Sequence, residues 1–211
     1  MKKIITTLLA CWISANVVAQ NPIDIDLWPN GLPNSNGIDT TQPYDDSKQN
    51  FKPSIRVFLP EKSKANGMAV VILPGGAYSH LASTIATHSD PATRPDFQVL
   101  FYPVISMQPG VTHQGSHDNF LGKGNHKRQE KNYSSDQQVN RNTPRAWIAL
   151  SDDDTVVQPS NGVNYYMELY KHDIPASLHV YPDGGHGWGS RLGFKYHIEM
   201  IMELKSWLDS F

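Results

Sequence analysis

Cysteine is almost missing from this chain: the sole residue, Cys11, falls within the first nineteen positions. A chain starting at Gln20 would therefore form no disulfide and no thiolate metal site. Charge of one sign is also missing, with 18 basic against 20 acidic residues over 211 positions. Without Lys2 and Lys3 the balance is 16 to 20, a net charge of −4. That removes the electrostatic footprint nucleic acid requires, so no nucleic-acid partner is expected. There is no internal repeat, no low-complexity tract and no apolar run of comfortable membrane-spanning length.

What is present begins with an address. Residues 1–19 carry Lys2 and Lys3, an apolar run from Ile4 to Ala19, and small residues at Val17 and Ala19. This is the pattern of a secretory signal cut before Gln20. The expected location is secreted or periplasmic, with no stable membrane insertion after cleavage. Leu8-Leu9-Ala10-Cys11 has the outline of a lipoprotein signal, but the hydrophobic run ahead of it is too short to support lipidation. Residues 20–52 are rich in Pro, Asn, Asp and Gly and read as a loosely structured arm, with one short strand around Ile23, Ile25, Leu27 and Trp28. Residues 53–211 read as a single domain, and 39% hydrophobic residues suits a substantial core.

Apolar β-branched runs at Ile55–Leu59, Ala69–Leu73, Phe97–Val104, Ala146–Leu150 and Ser177–Tyr181 predict strands. From Ala69 onward these alternate with helical patterns, which predicts an α/β fold with a mostly parallel sheet flanked by helices. One helix opens at Pro159-Ser160 with Val163, Tyr166, Met167 and Tyr170 on its apolar side. A terminal helix carries Phe194, Ile198, Ile201, Leu204, Leu208 and Phe211. Phe97–Val104 is apolar on both faces and belongs in the middle of a covered sheet. Met107–Asn142 is polar without periodicity and reads as a cap over a site or a poorly ordered loop.

Three features carry chemistry. Pro74-Gly75-Gly76-Ala77-Tyr78-Ser79 follows a strand and precedes a helix, so its backbone N–H groups could cradle an oxyanion or a phosphate. Asp152, Asp153 and Asp154 follow the Ala146–Leu150 strand, and His186 sits between glycines just after the next strand. That order places a carboxylate and an imidazole at neighbouring strand ends, where the carboxylate can fix the tautomer of a general base. His113 with His117, and His80 with His88, have spacings that invite a metal. Neither pair has a neighbouring Glu in a zinc-protease pattern or a third ligand, so no metal is expected.

Pro74-Gly75-Gly76-Ala77-Tyr78, Arg94-Pro95-Asp96-Phe97 with Leu100–Met107, Gly115-Ser116 with Asn119–Gly122, Asp152-Asp153-Asp154, and Tyr181–Gly189 together resemble the secreted α/β-hydrolase esterases. The subgroup is that of acetyl xylan and feruloyl esterase-like or dienelactone hydrolase-like proteins. The resemblance implies a serine hydrolase acting on acetyl or feruloyl esters of plant polysaccharide, without a cofactor. It implies Asp154 as the triad acid, with Asp153 as second choice, His186 as the base, and Gly75, Gly76 and Ala77 as the oxyanion loop.

The family nucleophile lies in Gly-x-Ser-x-Gly, and no such pentapeptide occurs in the chain. Instead, Gly76-Ala77-Tyr78-Ser79-His80-Leu81-Ala82 runs directly into a helix-like tract. The resemblance implies an internal contraction there, on the order of 60 residues or more, and hence a truncated α/β-hydrolase fold with about six strands. Ser79, or else Ser83, is the substitute nucleophile closest to hand; the competing reading is a serine that caps the following helix. The alternative function is a hydrolase-fold remnant without catalysis, or a carbohydrate-binding module.

Overall fold

The computed structural model describes residues 22–26, 39, 41–43, 45, 54–57, 59, 61–64, 94–124 and 126–211. The segment 1–21, with the signal and Cys11, lies outside these residues. So does 65–93, with the Ala69–Leu73 strand, the glycine pair, Ala77, Ser79, His80, Ser83 and His88. Contacts divide the chain into two units, Met1–Val70 and Val71–Phe211.

In the first unit, β1 (Ile23–Asp26) pairs antiparallel with β2 (Ser54–Val57), in a register that sets Asp24 opposite Arg56. The guanidinium donates to both Asp24 carboxylate oxygens, at 2.7 and 2.9 Å, across an exposed face.

The second unit is built on three parallel strands in the order β3 (Phe97–Phe101), β4 (Arg145–Ser151), β5 (Ala176–Tyr181). The successive side chains of a strand point to opposite faces, and β4 shows it directly. Ala146, Ile148 and Leu150 join one core with Ile105, Val139, Tyr165 and Leu169. Trp147 and Ala149 join another with Tyr181, Trp188, Phe194 and Met200. Helix α3 (Ser160–Lys171) covers the first face. Its Gly162 lies so close to β4 that a Cβ there would meet Leu150 Cδ2 at 2.7 Å.

Three expectations are corrected. The fully enclosed strand among the described residues is β4, whereas β3 is largely half-buried and ends at Phe101 rather than Val104. The polar excursion is not a structureless loop: it holds α1 (Gln114–Leu121), α2 (Lys127–Asn132) and a 3-10 turn at Ser135–Gln138. Capping and buried polar bonds organise it in place of apolar periodicity. His113 accepts from the Ser116 amide at the start of α1. Asn161 accepts from the Ile105 and Ser106 amides at 3.1 and 3.0 Å and donates to Val111 O.

The terminal helix α4 spans His197–Leu208 and buries Met200, with Leu204 and Trp207 packed on the same core. Ile198 and Ile201 are exposed. The repeat counted from Phe194 fails because a turn separates Phe194 from the helix, and the turn resets which face looks inward.

Candidate active site

The C-terminal ends of the parallel strands carry the candidate chemistry. After Ser151 the chain stays tied to β5, since the Asp152 amide donates to Tyr181 O at 2.8 Å. The turn then places Asp154 with its side chain buried. One carboxylate oxygen accepts from the Val156 and Val157 amides, both at 2.9 Å, an Asx turn closed by the residue's own downstream backbone. The other lies 2.7 Å from His186 Nδ1. An ionised carboxylate only accepts, so the imidazole donates from Nδ1 and keeps Nε2 as an acceptor. The His186 side chain is 29% exposed.

The loop carrying His186 is held by several contacts. Asp153 accepts from the Gly185 amide at 2.8 Å, so the second acidic residue of the turn aligns the histidine loop rather than the histidine ring. Trp188 donates from its indole to Ser151 Oγ at 2.8 Å and stacks on Phe194 with ring centres 4.0 Å apart. Gly184 has φ +148°, and a Cβ there would stand 2.6 Å from Phe194 and 2.7 Å from Ser151 Oγ. Lys195 donates to Asp183 at 2.7 Å and holds that exposed carboxyl below its ordinary range.

Tyr102, which the sequence reading did not single out, completes the group. It sits at the end of β3 with φ +37°, and its ring meets the His186 ring edge-on with centroids 4.5 Å apart. Burial raises its phenol above the usual value, against a smaller opposing effect from the Gly189 backbone. Sequence gave little warning: Tyr102 precedes Pro103, and a residue before proline is steered toward extended backbone.

The structure thus brings Asp154, His186 and Asp153 together, while Gly75, Gly76, Ala77, Ser79 and Ser83 lie outside the described residues. Of the histidines weighed as metal ligands, His113 caps α1, and buried His117 lies between Asp118 (3.0 Å) and Glu130 (3.2 Å). Among the described residues no group of three or more His, Cys, Asp or Glu side chains could hold a metal.

A parallel sheet between helical layers, with an aspartate after one strand bonded to a histidine after the next, defines an α/β-hydrolase-type domain. The chain belongs to the prolyl oligopeptidase family, whose model matches residues 99–210. It is 38% identical over 179 residues to an acetylxylan esterase of Xylanibacter ruminicola, covering 82% of this chain and 36% of that protein. It is 30% identical over 159 residues to endo-1,4-beta-xylanase B of Butyrivibrio fibrisolvens, covering 69% of this chain and 24% of that protein. In structure it resembles an acetyl ester-xyloside bifunctional hydrolase of Caldicellulosiruptor lactoaceticus, with TM-score 0.57 and 33% identity over 61% of this chain and 52% of that one. The chain therefore spans about a third or less of the two curated relatives and about half of the solved one.

Proposed function

We propose that this protein is a carboxylic-ester hydrolase acting on acyl groups, acetyl or feruloyl, of a plant polysaccharide. The observation that carries the reading is the buried Asp154 bonded to His186 Nδ1, on a histidine whose side chain is partly exposed. In this mechanism a serine Oγ attacks the ester carbonyl carbon and passes its proton to His186 Nε2. The imidazolium, stabilised by Asp154, returns that proton to the departing alcohol, and water then releases the acid by the same route. Ser79, or else Ser83, is the proposed nucleophile, and the amides around Gly75, Gly76 and Ala77 are the proposed oxyanion donors. The relatives named for acetylxylan and xyloside substrates support the polysaccharide ester. The pattern of residues 1–19 supports export, and among the described residues no helix is long and apolar enough to cross a membrane.

The second reading, a hydrolase-fold domain without catalysis, is favoured by the missing Gly-x-Ser-x-Gly. Hydrolysis of p-nitrophenyl acetate separates the two. For an esterase, His186→Ala lowers the rate by about 10²–10⁴-fold, and a fluorophosphonate adduct maps to Ser79 or Ser83. Equal rates for parent and variant, with no serine labelled, select the inert domain.

A further inference from the structure

A concave site lies at the opposite end of the sheet from His186. It is a cavity of about 280 Å³ walled by Tyr166, Tyr170, Asp173, Ile174, Pro175 and Ala176, where α3 ends and β5 begins. Tyr170 is 68% exposed, a large amphipathic ring. Across the six residues of β5, at about 3.3 Å each, the cavity stands on the order of 20 Å from the histidine loop.

The way α3 ends is the second observation. The Ile174 amide donates to Leu169 O at 3.0 Å and the Asp173 amide to Tyr170 O at 3.1 Å, the paired bonds of a Schellman stop. The residue at the left-handed position of that motif is usually glycine, yet here it is Asp173 at φ +56°. Among the described residues only Tyr102 and Asp173 are non-glycine residues with positive φ. One touches the candidate base and the other sets an exposed carboxylate on the rim of this cavity, and strained residues of this kind concentrate at functional sites.

We propose that this cavity is an accessory binding site for a neutral pyranose unit of the polysaccharide. The chemistry fits a sugar: phenol rings offer flat apolar surface to the C–H face of a pyranose, and the carboxylate accepts from its hydroxyls. A carboxylate as the rim's charged group disfavours an anionic ligand. The choice of xylan as probe rests on the polysaccharide-ester reading, but binding does not require that the dyad be catalytic.

The test is affinity electrophoresis of the full chain in gels containing soluble xylan, with the His186→Ala background alongside to prevent hydrolysis. The parent and His186→Ala migrate equally retarded; Tyr170→Ala and Asp173→Gly show at least about fivefold weaker retardation. Asp173→Gly keeps or raises the melting temperature, because glycine relieves the left-handed strain, so its lost binding is not lost folding. Tyr170→Ala leaves p-nitrophenyl acetate hydrolysis unchanged. No retardation of the parent, or equal retardation of Tyr170→Ala, overturns the inference even if the protein proves to be an esterase. Tyr170-dependent retardation without any ester hydrolysis sustains it while the esterase reading fails.

Discussion

At the scale of single residues, Asp154 uses both oxygens, one for the histidine and one for two backbone amides, and the two tasks separate by mutation. Asp154→Asn keeps an acceptor for the Val156 and Val157 amides but loses the charge that stabilises an imidazolium. The expected result is an esterase rate down by about 10²–10⁴-fold with a nearly unchanged melting temperature. Asp154→Ala strands both amides as well, adding a stability loss of roughly 1–3 kcal/mol, read by urea unfolding. Gly184→Ala drives a Cβ into Phe194 and Ser151, and roughly 1–3 kcal/mol of overpacking is expected in the same assay. A pairing of His186 with one of Asp152, Asp153 and Asp154 was legible because strand, acidic turn, strand and histidine follow one another in order, whereas the choice of Asp154 came from the family resemblance. Tyr102 was not legible, because what brings it to His186 is a backbone conformation that its neighbour Pro103 argues against.

Among the elements, sequence reading succeeded where apolar periodicity marks burial and failed where polar bonds do that work. β4, β5 and the extent of α3 announce themselves by their apolar patterns, but the inward face of α3 was misplaced: Met167 and Tyr170 are exposed, and Tyr165 and Leu169 are the buried residues. The excursion after Met107 offers no such pattern: its order comes from a histidine cap, from Ser134 accepting the Met107 amide, and from Asn161 reaching across to Ile105 and Ser106. Buried amides that would otherwise be orphaned make these contacts matter. Asn161→Ala should therefore cost at least about 2 kcal/mol. Hydrogen exchange should show Ile105 and Ser106 losing protection, although neither their side chains nor their chain neighbours change. The inward face of α4 was misread for a different reason, since a helical repeat has no phase until its first residue is known, and the turn at Arg191–His197 supplies it.

For the molecule as a whole, the buried Tyr165 sets an alkaline limit. Burial pushes its phenol up to about 12, against a smaller opposing effect of the hydrogen bond with Gln98. In the unfolded chain it titrates near 10. A folded value above the unfolded one gives stability that is complete below pH 10 and lost as pH rises toward 12, since only the unfolded chain releases the proton in that window. The loss amounts to roughly 2–3 kcal/mol. Burial also raises Tyr181, helped by the Glu203 carboxylate that accepts from its hydroxyl, and this acts in the same direction. Urea midpoints measured from pH 9 to 12 should fall, and Tyr165→Phe should flatten part of that slope.

The bond between Asp154 and His186 joins residues only 32 positions apart, and among the described residues the groups that hold the pair, Tyr102 apart, run from Ser151 to Phe194 in one strand-helix-strand passage and the loop after it. Such a passage closes with a short chain loop and so assembles early and cheaply during folding. The aspartate is thus aimed at the histidine by contacts that, among the described residues, all lie downstream of Phe97.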